Sequence, residues 1–254
     1  MLVLSVIFIG FSCNKTEKPA ESKKKAKEAE KKERVAMDKT VKPVAPKIIQ
    51  STRELTKIQA QLKKLAPVDI GADLSILDEN EKNVLKLIVK AARYMDDIFL
   101  TQVYVKNNEL KEALLSNKTA EYETLYRYFM INFGPFDRLD KDQPFINSDQ
   151  KPAGANYYQG DISKEMFNQW ITDHPESEKA FTSNFTLIKR EGDQLKAIPY
   201  SEAYRDLLEP AAKLLKEASV LSKNTSLKKF LSSRADAFLS NDYFQSDIDW
   251  VELK

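Results

Sequence analysis

Apolar positions recur at three- and four-residue spacing through most of the chain, the period of a helix with one buried face. The clearest case lies near the C-terminus. Leu207, Leu208, Ala211, Leu214, Leu215, Ala218 and Leu221 form one stripe; Leu227, Phe230, Leu231, Phe238 and Leu239 form another, beyond Ser222-Lys223-Asn224-Thr225. Two helices joined by so short a polar link fold back on each other and must bury both stripes.

Upstream, the same period predicts three more helices. Ser51-Thr52-Arg53-Glu54 offers a capping box to a helix bearing Leu55, Ile58, Leu62 and Leu65, with Pro67 as its stop. Asp78 and Glu81 cap the longest candidate, which carries Val84, Leu85, Ile88, Ala91, Ala92, Met95 and Phe99. A third holds Tyr122, Leu125, Tyr126 and Phe129, a stripe that packing explains. From Asn132 to Gly160 the period disappears. Gly134-Pro135, Gln143-Pro144, Lys151-Pro152 and Gly154 punctuate a segment whose Phe133, Phe136, Phe145, Tyr157 and Tyr158 are too apolar for a free linker, so an ordered, packed loop is expected. Ser163 opens a short helix with Met166, Phe167, Trp170 and Ile171 inward, and Pro175 suits the first position of another turn. Thr186 to Arg190 and Leu195 to Ile198, with a turn at Glu191-Gly192-Asp193 between them, read as a β-hairpin near residues 186–198. The fold class is therefore α+β, predominantly α-helical.

Composition sets the domain plan. With 254 residues, 42% hydrophobic and 31% charged, the chain can bury one good core or two small ones. Leu2 to Ile9 is an apolar run far short of the roughly 20 residues that cross a bilayer. It reads as the core of an export signal, and Cys13 after Gly10-Phe11-Ser12 resembles the lipobox cysteine of bacterial lipoproteins, although Phe11 and the lack of a preceding Lys or Arg depart from that pattern. Residues 14–50 alternate Lys with Glu and hold few large hydrophobes, which predicts a disordered tether. The plan is a signal over 1–13, a tether over 14–50 and a body over 51–254. Lipid anchoring through Cys13 would face the protein to the periplasm or cell exterior.

Charge removes a class of partner. Lys15 to Arg34 alone carries nine basic and five acidic residues, so the body beyond it is slightly negative although the whole chain is +2. A body without a basic face has no electrostatic footprint for nucleic acid. Catalytic chemistry is equally sparse. His174 is the sole histidine and Cys13 the sole cysteine, whereas a zinc site needs three protein ligands and an open position. Asp96 and Asp97 are adjacent, so on a helix they point about 100° apart and do not face one ligand together. No phosphate loop or G-x-S-x-G is present.

Four stretches carry a resemblance: INFGPFDRLDKDQPFI (Ile131 to Ile146), KPAGANYYQGDISKEMF (Lys151 to Phe167), HPESEKAFTSNFTLIKR (His174 to Arg190) and PYSEAYRDLLEPAAKLLKEAS with the SLKKFLSSRADAFLSNDYFQSDIDW that follows. In that order they resemble the segment preceding the catalytic part in bacterial members of the dipeptidyl peptidase III family of zinc exopeptidases. The family's H-E-x-x-G-H signature is absent. The resemblance implies a two-lobed enzyme that removes dipeptides from the N-terminus of short peptides, with zinc supplied by a segment after Lys254. It assigns no catalytic or metal residue to this chain. The alternative is a non-enzymatic envelope lipoprotein that binds peptides or acts as a scaffold; an open frame beyond codon 254 encoding the zinc motif would separate the two.

Overall fold

The computed structural model describes residues 52–146 and 149–254, all within a unit that runs from Pro46 to Lys254. Ser51, Cys13 and the predicted signal and tether lie outside the described residues. The elements in order are α1 (Thr52–Leu62), α2 (Glu79–Val103), α3 (Asn107–Ser116), α4 (Ala120–Asn132), β1 (Phe136–Asp137), β2 (Gln143–Pro144), α5 (Lys164–Asp173), α6 (Glu178–Phe181), β3 (Thr186–Glu191), β4 (Gln194–Pro199), α7 (Tyr200–Ala203), α8 (Arg205–Leu221), α9 (Thr225–Ser240) and α10 (Phe244–Val251). A mostly helical body with two small antiparallel ribbons is the α+β class expected.

The 25-residue α2, about 37 Å long at 1.5 Å per residue, ties the body together. Its start is fixed by the expected capping box: Asp78 accepts from the Glu81 amide at 2.8 Å while the Glu81 carboxylate accepts from the Asp78 amide at 2.8 Å. Its N-terminal half gives Val84 and Ala91 to a core shared with Ala211, Ala212, Leu215 and Ala218 of α8 and Leu231 and Ala235 of α9. Four alanines on one face of α8 and α9 let the backbones approach closely. The two helices run antiparallel, as Lys216 to Ser232 (2.9 Å) and Ser219 to the Lys228 carbonyl (2.9 Å) show. Leu100 in the C-terminal half of α2 and the C-cap Tyr104 join a second core with Ile58 of α1, Leu110 and Leu114 of α3, and Leu125, Tyr128 and Phe129 of α4.

Several expectations need correction. α1 stops at Leu62, five residues before Pro67, so Leu65 packs from a turn and not from the helix. Ala92, Phe99, Leu221 and Leu239 are exposed, because each stripe is wider than the neighbour that covers it. Phe99 nevertheless meets Phe133 edge-on at 5.0 Å. Met166 is exposed and touches the Arg190 guanidinium at 3.8 Å; only Phe167, Trp170 and Ile171 of that helix turn inward.

The hairpin forms as read, with Leu187 opposite Ile198 and Arg190 opposite Leu195. Its two-residue turn works because Gly192 takes φ +63°, a value costly for most side chains.

Candidate functional site

The stretches that carry the resemblance are the natural place to look for function. The first, 131–146, begins where α4 ends in a Schellman turn: the Gly134 amide donates to the Phe129 carbonyl (3.1 Å) and the Phe133 amide to Met130 (3.4 Å). Phe133 sits at φ +53° and Gly134 at φ +152°. A Cβ on Gly134 would lie 3.2 Å from the Asn107 amide atoms. Asn107 is fully buried at the start of α3 and donates to the carbonyls of Leu100 (2.8 Å) and Phe133 (3.0 Å), joining the end of α2 to this turn.

The chain then forms the two-residue ribbon of β1 and β2, with a 3-10 turn at Arg138–Asp140 between them. Asp137, 3% exposed, accepts from the Tyr128 hydroxyl (2.6 Å), the Gln61 amide (3.1 Å) and the Leu139 backbone amide (2.9 Å). Burial first, and then the bond to Asp137, push the Tyr128 phenol well above its ordinary pKa, so it stays a donor. A carboxylate held by three donors and 3% exposed is closed to a substrate by its burial. It braces α1, α4 and the loop against one another.

The second stretch, 151–160, lies against α2 and β3. The Asn156 amide donates to the Gln102 carbonyl (2.9 Å) and its side chain to Thr101 (2.9 Å), while the Ile188 amide donates to the Tyr157 carbonyl (2.9 Å) and Gln159 returns a bond to Ile188 (3.1 Å). The loop thus extends the hairpin as an irregular third strand, in parallel to β3 at Tyr158–Ile188. Phe136 and Phe145 are buried and Phe133 and Tyr157 half-buried, as expected, whereas Tyr158 is 39% exposed. Tyr158 instead meets Phe167 edge-on at 5.6 Å, and the two rings wall a hollow of about 530 Å³ between this loop and the start of α5. Ser163, the N-cap of α5, and Lys164 stand on its rim. A hollow of this make-up can seat a chain or a small molecule but brings no acid–base pair to it.

His174 caps α5. Its backbone amide donates to the Trp170 carbonyl (2.9 Å), Nδ1 lies 3.1 Å from the same oxygen, and its ring stacks on Trp170 at 4.0 Å. Asp96 and Asp97 part company as expected: the first pairs with Arg93 (3.2 Å) and the second with Lys111 (3.0 Å). Among the described residues, no three His, Cys, Asp or Glu side chains cluster as metal ligands would, and no helix is long and apolar enough to cross a membrane.

At the C-terminal end, α10 is not among the helices that the periodicity predicts. This short helix lies along α9 with its polar side inward: Ser246 and Asp249 are buried, while Phe244, Trp250 and Val251 are 74, 61 and 77% exposed. Asp249 accepts from Lys229 (2.9 Å) and Gln245 (2.8 Å), and Asp247 pairs with Arg234 (2.6 Å). Bonds from Ser233 first and from Lys229 next hold the Asp249 carboxyl down to about 2. Leu214, Leu215, Phe230 and Phe238 pack inside the body, whereas Trp250 does not.

No protein-family model matches the chain. It is 34% identical over 248 residues to Nudix hydrolase 3 of Arabidopsis thaliana, a match that takes in 77% of this chain and 32% of that protein. Two solved structures share its fold. Dipeptidyl peptidase III from Caldithrix abyssi superposes with a TM-score of 0.74 at 47% identity, covering 78% of this chain and 37% of the other. The dipeptidyl-peptidase III from Corallococcus sp. strain EGB gives 0.75 at 37% identity, covering 79% and 38%. The chain therefore has a dipeptidyl peptidase III-like fold and spans little more than a third of those structures' length, and about a third of the curated relative's.

Proposed function

We propose that this chain is the N-terminal, zinc-free part of a longer dipeptidyl peptidase III-like metallopeptidase, which removes dipeptides from the N-terminus of short peptides. The observation that carries this reading is the agreement over 78% of the chain at 47% identity with the Caldithrix abyssi protein, a closeness in sequence as well as in backbone. The Nudix hydrolase name belongs to a protein of which only 32% is matched, and nothing in the site geometry favours that chemistry here.

Zinc, the metal the resemblance implies, does not fit the residues described. His174 caps α5 and stacks on Trp170, and among the described residues no donor set surrounds it. We assign zinc and catalysis to a segment outside this chain, and to this chain the rigid wall on which such a segment rests. The Asn107 and Asp137 brackets fix the 131–146 loop in that wall, and the outward Phe244, Trp250 and Val251 of α10 offer an apolar surface for the segment to cover. We also propose export and lipid anchoring through Cys13, since a diacylglyceryl thioether needs that sulfur.

The test is dipeptide release from a dipeptidyl-naphthylamide substrate. The 254-residue chain alone should give none, and the chain joined to the rest of its reading frame should give chelator-sensitive activity. Chelator-sensitive release by the purified chain alone, with contaminating peptidase excluded, would overturn the assignment; so would an authentic stop after codon 254.

A further inference from the structure

Beside the C-terminal half of α2, between α7, α8, α9 and α10, lies a second cavity of about 380 Å³, within the range of small-ligand sites. Its floor is dry: Ile98, Tyr204 and Leu208 are 8, 5 and 3% exposed. Its walls are aromatic. Phe185 stacks on Tyr243 at 4.5 Å, and Tyr200 meets Tyr204 edge-on at 5.3 Å. Asn241, at φ +62° after α9, holds two of those walls in place by accepting from the Ser201 amide (2.9 Å) and donating to the Phe185 carbonyl (3.0 Å). At the mouth, Arg234 and Asp247 satisfy each other at 2.6 Å.

One group on the floor has no acceptor. The Tyr204 hydroxyl is buried and donates its proton to no atom of the protein. Burial pushes its pKa up to about 12, so it keeps its proton. The neighbouring Gln102 does not meet the need: its side chain meets Tyr204 as a donor, an approach that lowers the phenol pKa, while its amide oxygen accepts from the Tyr157 hydroxyl at 3.3 Å. What the floor lacks is an acceptor. An anion does not suit it, since Ile98 and Leu208 would strip the charge of water and the one guanidinium is occupied at the mouth.

We propose that this cavity is a binding site for a small neutral aromatic carbonyl compound, its ring among Phe185, Tyr200 and Tyr243 and its carbonyl oxygen accepting from the Tyr204 hydroxyl. The site is independent of the peptidase assignment and needs no residue outside this chain.

The probes are acetophenone and ethylbenzene, which differ by the carbonyl, titrated into the full chain and followed by protein NMR shifts. Acetophenone should bind saturably at residues lining the cavity and about fivefold more tightly than ethylbenzene, the worth of one net neutral hydrogen bond. Tyr204→Phe should abolish that preference while leaving the urea unfolding midpoint close to that of the parent, because it removes a buried hydroxyl whose proton has no acceptor. Saturable shifts confined to another surface, equal affinity for the two probes in the parent, no saturation by either, or a preference that survives Tyr204→Phe would each overturn the proposal.

Discussion

Replacing Asp137 tests whether the 131–146 loop is a bracket. Asp137→Ala removes an acceptor that serves the Tyr128 hydroxyl, the Gln61 amide and the Leu139 amide at a site only 3% exposed. Hydrogen bonds to a charged group contribute about 1.5–3 kcal/mol each, and a stranded buried donor costs about 1–3 kcal/mol. The three share one acceptor and are not additive, so a loss of about 3–5 kcal/mol is expected. Asp137→Asn should behave differently. Its amide oxygen can still accept from Tyr128 and Leu139, and its new N–H can donate to the Gln61 amide oxygen, which is buried without a partner in the native protein, once the Gln61 amide turns over. That variant should stay within about 1 kcal/mol of the parent. Urea unfolding of the three proteins under one set of conditions measures the differences. If Asp137→Ala lost less than about 1 kcal/mol, or if the Asn variant were as damaged as the Ala variant, the bracket argument would fail.

Other expectations follow from single contacts. Gly134→Ala meets both a φ of +152° and the Asn107 side chain at 3.2 Å, so urea unfolding should register a loss of about 1–3 kcal/mol. Ala218→Leu forces a larger side chain into the α2–α8–α9 core, where Ala218 is fully buried, and should cost about 1–3 kcal/mol by the same measurement. The folded Asp249 carboxyl titrates lower than the free one, at about 2, so its support for α10 is complete above about pH 4 and lost as pH falls toward 2; hydrogen exchange of α10 amides should rise over that window, and Asp249→Asn should flatten the change. Cys13→Ala should release the protein from the membrane fraction or block its processing, as fractionation would report.

The sequence by itself determined what depends on neighbours along the chain. The Asp78–Glu81 capping box, the Ser163 cap, the Gly192 turn and most of the α8 and α9 stripes are governed by contacts within about four residues, and the structure has them where the pattern put them. The likeness of the 131–146 and 151–167 stretches to a peptidase family was legible too, because a run of residue types survives without knowledge of its contacts. Tertiary structure decided which faces have company. Phe99, Met166 and Tyr158 lie on apolar patterns but are exposed, since period says which residues share a face and not how wide the covering element is. Asp137 ties α1 into its bracket through Gln61, 76 positions away. The helices α3 and α10 lack side-chain caps, which removes their local start signal. In α10 the ordinary rule is inverted: α9 offers Lys229 and Arg234 along the contact, so Asp249 turns inward and Trp250 outward, a choice set by charges on another helix and invisible in the period of its own.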